Sequence, residues 1–138
     1  MRPGGQGERE PEPPFQGLVA IVDDDRSVQR ALKRLLSSVG VRCETHSSGL
    51  DLLESRALHD ADCLILDLYL PGMTGKEVMQ EVRVAASKLP VVLMTGRFEV
   101  DFAERAFAAG ASAFLVKPFG EEELLDAIAT ASGRGVRR

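Results

Sequence analysis

Three consecutive carboxylates, Asp23, Asp24 and Asp25, follow the apolar run Leu18–Val22. Anions packed this closely raise one another's pKa unless a positive charge sits among them. Three other apolar runs also end in chemically capable residues. Cys63–Leu66 runs into Asp67, Val91–Met94 into Thr95-Gly96, and Ala113–Val116 into Lys117-Pro118. Brought together, these ends would pool carboxylates, one ammonium and one hydroxyl. A hard divalent cation with oxygen ligands would relieve the acids. Mg²⁺ fits, because it keeps several waters and shares its shell with phosphate. Around a phosphoryl group Asp67 would be the nucleophile. Lys117 would be a point charge and Thr95 a short hydroxyl donor. The product would be a mixed anhydride on Asp67.

Such a site exists only if the fold gathers the four ends. Five short apolar runs read as strands: Leu18–Val22, Val41–Thr45, Cys63–Leu66, Val91–Met94 and Ala113–Val116. Four are continuously apolar, as in strands covered on both faces of a parallel sheet. The second is mixed, as an edge strand is. Helical spacing fills the gaps. Val28, Ala31, Leu32, Leu35, Leu36 and Val39 mark the first helix, with Asp25 or Ser27 to cap it and Gly40 to stop it. Leu50, Leu52, Leu53 and Ala57 mark a short second helix. Val78, Met79, Val82 and Ala86 mark the third, with Pro90 after it. Val100, Ala103, Ala106 and Phe107 mark the fourth, ending at Gly110. Leu124, Leu125, Ile128 and Ala129 mark the fifth, with Glu121, Glu122 and Glu123 at its positive end.

This is a (βα) unit repeated five times. Right-handed crossovers then make an α/β, doubly wound, five-stranded parallel sheet. A flavodoxin-like strand order, 2-1-3-4-5, fits five units and puts function at the carboxyl ends of strands 1 and 3. That order separates Cys43 from Cys63 by strand 1, roughly 9–10 Å, so both are expected as free thiols.

Each signal has a plainer reading by itself. Asp23 or Asp24 could cap a helix, Asp67 could open a turn before Leu70-Pro71-Gly72, and Thr95-Gly96 and Lys117-Pro118 could each be a turn. Their joint occurrence at four strand ends favours a site. Pro71, Gly72 and Gly75 are expected to shape the loop after Asp67.

The chain has 138 residues, 44% hydrophobic and 28% charged, with a net charge of −4. That suits one domain with a core. No apolar run reaches the roughly 18 residues of a membrane span, and the Gly-, Pro- and Glu-rich start has no secretory signal. Residues 1–16 are expected as a disordered tail and 132–138 as a basic one carrying Arg134, Arg137 and Arg138. The acidic body argues against direct nucleic-acid binding, and no membrane partner is indicated.

The segments Ile21–Asp25, Leu64–Gly75, Val91–Arg97 and Phe114–Phe119 resemble, in order and spacing, the receiver domain of two-component response regulators. The likeness spans about Gln16 to Ala131, within an expected domain over 17–131. It implies a cytoplasmic signalling switch, not an enzyme with turnover, that takes a phosphoryl group onto Asp67 from a sensor histidine kinase or phosphotransfer protein. It implies Mg²⁺ held by Asp24, Asp67 and the main-chain carbonyl of Tyr69, with Asp23 acting through water. Asp25 is then left to cap the first helix. Thr95 and Phe114 are implied as the switch pair, with output through the fourth helix, fifth strand and fifth helix, a face that could also form a homodimer. Phe114 stands where the family often has Tyr, so a reporting hydroxyl is absent. Tyr69 and Arg97 occupy positions implied to tune phosphoryl lifetime, and Lys117-Pro118 resembles the family's cis peptide.

Two other readings compete. One is a phosphorylation-independent interaction module of the same fold. The other is an Mg²⁺-dependent phosphatase acting through phospho-aspartate, whose DxD pair follows the first strand, whereas Asp67-Leu68-Tyr69 has no second Asp and follows the third. His46 and His59, with no carboxylate partner legible, are expected to be non-functional. Phe102 and Phe107 lie about 140° apart on a helix, so one of them is expected to be partly exposed. Asp23→Ala is expected to stabilise the metal-free fold by removing one crowded anion. The seven residues after Ala131 leave no room for an output domain, so either a stand-alone receiver or a regulator cut before its output domain is expected.

Overall fold

A computed structural model of the chain describes residues 15–97 and 99–133. Most of the two expected tails lies outside those residues. The packed body begins at Phe15, which is buried in the core, two residues before the expected boundary.

The strands are β1 (Leu18–Val22), β2 (Arg42–His46), β3 (Cys63–Asp67), β4 (Val91–Thr95) and β5 (Ala113–Val116). They form one parallel sheet in the order β2-β1-β3-β4-β5. Every residue of β3 and β4 is buried, whereas β2 is half-exposed, as its mixed composition requires. Alternate side chains feed two cores. Val19, Ile21, Ile65 and Met94 meet Leu32, Leu36, Leu124 and Ile128 on one face. Ala20, Val22, Leu64, Leu66 and Leu93 meet Leu52, Val78, Met79 and Val82 on the other. Each large side chain so buried contributes roughly 1.5–3 kcal/mol.

The helices are α1 (Arg26–Ser38), α2 (Gly49–Glu54), α3 (Ala57–Asp60), α4 (Gly75–Ala85), α5 (Phe102–Ala108) and α6 (Glu121–Ala131). Asp25 caps α1 by accepting the Ser27 N–H at 2.8 Å, and Gly40 follows its end at φ +81°. The expected second helix is two. Ser55 is extended; its hydroxyl donates to the Leu52 carbonyl and accepts the Ala57 N–H, so one side chain ends α2 and starts α3. The expected fourth and fifth helices are therefore α5 and α6.

The expected apolar stripe on α5 has the wrong phase. Val100 precedes the helix and is 97% exposed; the buried pair is Phe102 and Ala106. Phe102 turns inward because its ring packs edge-on to Phe114 of β5, centroids 5.4 Å apart. Phe107 remains half-exposed, as one of the two phenylalanines had to. Leu50, expected on the buried face of α2, is also exposed.

β1 lies between Cys43 and Cys63, both opposite Val19, and both thiols are free. The Lys117-Pro118 peptide is cis. Thr74 and Glu77 form a reciprocal cap that starts α4 beside the chain leaving β3. Contact there is close. A Cβ on Gly75 would lie 2.6 Å from the Leu68 Cα and 2.8 Å from the Asp67 carbonyl oxygen. Gly72 has open space but φ +79°.

These two glycines should respond differently. Gly75→Ala is expected to lose about 1–3 kcal/mol by overpacking. Gly72→Asn, which tolerates the left-handed region, should stay within about 0.5 kcal/mol of the parent. Chemical denaturation of both variants checks the ranking.

Candidate functional site

The carboxyl ends of β1, β3, β4 and β5 open onto one edge of the sheet. Asp23 and Asp24 leave β1, Asp67 ends β3, Thr95 ends β4 and Lys117 leaves β5. Carboxylate oxygens of Asp23, Asp24 and Asp67 lie within 4.8 Å of one another. Asp23 is wholly buried and Asp67 nearly so, while Asp24 is exposed. The Lys117 ammonium lies between the two buried acids, Nζ donating to Asp23 Oδ2 at 2.7 Å and Asp67 Oδ2 at 3.3 Å. Asp23 Oδ1 accepts the Asp25 N–H at 2.8 Å, and Asp67 Oδ1 accepts the Tyr69 N–H at 3.1 Å.

Burial raises the Asp67 pKa above its ordinary value. The Tyr69 amide and Lys117 oppose that rise, and the charge of Asp23 adds to it. Burial works against the Lys117 charge, but Asp23 and Asp67 outweigh it, and its pKa lies above the ordinary lysine value. The upward shift at Asp67 thus comes from burial first and from the charge of Asp23 in smaller part. Asp23 is not a surplus anion, because it is the closer partner of Lys117. The expected stabilisation by Asp23→Ala therefore does not follow from this geometry; relief belongs at Asp67.

The remaining expected residues surround this centre. The Thr95 hydroxyl is buried and turned into its own loop, donating to the Arg97 carbonyl at 3.0 Å and accepting the Arg97 N–H at 3.0 Å. Phe114 packs between the rings of Phe102 and Phe107. The Arg97 guanidinium lies over the Tyr69 ring, 5.0 Å from its centroid. The two positions expected to tune phosphoryl lifetime thus touch each other, which spacing did not reveal.

The expectation that neither histidine has a carboxylate partner needs correction at His46. His46 lies between two carboxylates, Nε2 3.0 Å from Glu44 and Nδ1 3.2 Å from Asp51. Glu44 shares its face of the strand, two residues back, while only the fold of α2 brings Asp51 near. Gln29 was missed altogether. It is a polar residue in register with Leu32 and Leu36 on the buried stripe of α1, and a polar residue on such a stripe was the available signal.

Three carboxylates with hard oxygen donors and a neighbouring cation match what Mg²⁺ takes when it shares its shell with phosphate. The donor set fits: the oxygens are close enough to share one ion, and Asp24 reaches solvent. Among the described residues, no helix is long and apolar enough to cross a membrane.

Comparison with known proteins agrees with this arrangement. The family model of the response regulator receiver domain matches residues 19–129. Nodulation protein W of Bradyrhizobium diazoefficiens is 35% identical over 134 residues, covering 97% of this chain and 59% of that protein. Response regulator protein TmoT of Ectopseudomonas mendocina is 37% identical over 116 residues, covering 84% of this chain and 53% of its own length. This chain thus spans little more than half of either relative. A response regulator receiver domain protein from Clostridium thermocellum superposes with a TM-score of 0.78 at 27% identity, covering 86% of this chain and 95% of that one.

The raised pKa of Asp67 has a direct consequence for stability. Its folded state holds the proton more tightly than the unfolded chain. Its contribution is therefore full below the ordinary value of 3.8 and is lost as pH rises through the raised folded value. In chelator, Asp67→Asn should melt about 2–6 °C above the parent at neutral pH. That advantage should shrink as pH falls toward 3.8. Thermal melts across pH check this, and a gain independent of pH would contradict it.

Proposed function

This chain belongs to the response regulator receiver domain family, and from that premise we propose that it is a switch that accepts a phosphoryl group on Asp67 from the phosphohistidine of a sensor histidine kinase or phosphotransfer protein. The observation that carries this reading is the Lys117 ammonium bridging Asp23 and Asp67 beside three convergent carboxylates. An oxygen of Asp67 attacks phosphorus, forming an O–P bond as the P–N bond to the donor imidazole breaks. The electron pair stays on that nitrogen, which then takes a proton from water. Asp67 attacks as the carboxylate, the form that Lys117 favours and that Mg²⁺ would favour when bound, so no general base is needed.

Asp24, Asp67 and the main-chain carbonyl of Tyr69 would hold Mg²⁺, with Asp23 acting through water. When bound, the ion supplies positive charge for the phosphoryl oxygens and offsets the repulsion among the acids. Lys117 can keep Asp23 while its weaker contact to Asp67 is exchanged for a phosphoryl oxygen. To reach that group, the Thr95 hydroxyl must leave the Arg97 backbone. Thr95 is two residues beyond Leu93, the β4 residue opposite Phe114, so one local charge event there would bias an aromatic rearrangement. Output then runs through α5, β5 and α6, where Phe107 is already half-exposed and could serve a homodimer. The cytoplasm, where such kinases present their phosphohistidine, is the expected compartment.

The test is intact mass after incubation with acetyl phosphate. One phosphoryl group should be gained with Mg²⁺, and none in chelator or in Asp67→Asn. An adduct retained by Asp67→Asn would overturn the assignment. The Arg97–Tyr69 contact adds a second expectation. Arg97→Ala and Tyr69→Ala should each change the acyl-phosphate half-life, and the double variant should fall short of the product of the two single effects. Decay of the phosphorylated proteins followed by mass checks both points.

A further inference from the structure

Gln29 is a buried amide in an otherwise apolar stripe of α1. Its side chain crosses to the carboxyl ends of two strands. Nε2 donates to the Asp23 carbonyl at 2.6 Å and the Ser47 hydroxyl at 3.0 Å, with a longer contact of 3.3 Å to the His46 carbonyl. Carbonyl oxygens can only accept, which fixes the amide with its NH₂ toward them. The His46 carbonyl has another donor, the Asp23 N–H at 3.1 Å. The Asp23 carbonyl has no other donor among the described residues. It belongs to a residue with no exposed surface, so losing Gln29 would leave a buried acceptor unpaired.

That carbonyl is also the peptide between the two acids. Rotation of the Asp23–Asp24 peptide moves the Asp24 Cα and swings its carboxylate relative to Asp67. Other bonds already fix the Asp23 side chain: Lys117 on Oδ2 and the Asp25 N–H on Oδ1. Asp24 is exposed and makes no hydrogen bond among the described residues. Its aim therefore depends on its backbone.

We propose that Gln29 is a positioning residue for the divalent-cation site, acting through the Asp23 carbonyl to hold the Asp23–Asp24 peptide in the orientation that directs Asp24 toward Asp67. This rests on the Mg²⁺ reading above. It assigns to Gln29 the part of an outer partner that orients a ligand without touching the ion, a class of residue whose loss typically weakens metal binding about 10–100-fold.

The experiment is Mg²⁺ titration by calorimetry on the parent chain, Gln29→Leu, Gln29→Glu and Val41→Ala. Thermal melts in chelator report folding. Leu keeps the volume and removes the donor. Glu keeps the shape, removes the donor and adds an anion. Val41 is buried in the same core but does not contact the site peptide in any hydrogen bond given above, so its variant supplies stability loss alone.

The expected result is Mg²⁺ affinity weakened at least fivefold in both Gln29 variants and unchanged in Val41→Ala. The acetyl phosphate reaction should show the same shift in its Mg²⁺ half-saturation, with the plateau rate at excess Mg²⁺ within about twofold of the parent. Glu separates two ideas: a merely electrostatic influence would tighten Mg²⁺ binding, whereas loss of the donor weakens it. Unchanged affinity in folded Gln29→Leu overturns the proposal, as does equal weakening in Val41→Ala. If neither Gln29 variant folds, the amide serves the fold and not the site, and the proposal also falls. Absence of Mg²⁺ binding by the parent chain would instead overturn the metal reading on which the proposal stands.

Discussion

The rest of the site depends on one ammonium group between two buried carboxylates. Asp23 and Asp67 come from adjacent strands, and two buried like charges repel unless a cation lies between them. Lys117 supplies it from the far side of β4. The arrangement is useful because it is not symmetric. Lys117 is 2.7 Å from Asp23 and 3.3 Å from Asp67. The tighter contact anchors the lysine, the looser one leaves Asp67 an oxygen to offer, and burial raises the Asp67 pKa. In the proposed switch, this centre would take added positive charge, and a phosphoryl group would take over the weaker contact.

The sheet makes that geometry rigid where it must be. β1 and β3 are neighbours in register, and both are closed off by apolar side chains on two faces. Nothing comparable holds the loops. They are fixed instead by small local devices: the Asp25 cap on α1, the Thr74–Glu77 cap on α4, and the close approach of Gly75 to Leu68. Arg83 adds another. Its guanidinium donates to the carbonyls of Ser87, Leu89 and Gly110, tying the loop before β4 to the loop before β5. Those contacts lie at the opposite end of the sheet from the acids, where stability does not compete with chemistry.

The part proposed to switch lies between these regions. Thr95 is buried, yet its hydroxyl is satisfied by its own loop and not by the acids. Phe114 is held edge-on by Phe102 and Phe107. Such ring contacts contribute about 0.5–1.5 kcal/mol each, small enough for one new charge interaction at Thr95 to reorder them. In the proposed switch, that balance would connect an event at Asp67 to the exposed face of α5.

Much of this was legible in the sequence, for a definite reason. Strand ends are marked by where apolar runs stop, and a parallel sheet puts all such ends on one edge. The strand order, the free cysteines and the gathering of Asp23, Asp24, Asp67, Thr95 and Lys117 therefore follow from periodicity and chain order. What periodicity cannot supply is phase and pairing. The buried side of α5 was set by Phe102 meeting Phe114, a contact between residues twelve positions apart. His46 found Asp51 only because α2 folds back over the end of β2. The contact of Arg97 with Tyr69 joins two different loops. Gln29 shows the limit most clearly: the sequence places an amide on an apolar stripe, but only the tertiary structure brings a buried carbonyl within its reach. The sequence by itself determined which groups arrive at the site edge, because strand ends are local features. Tertiary structure alone decided which of them touch, because hydrogen bonds depend on ångström-scale distances between segments that no local pattern encodes.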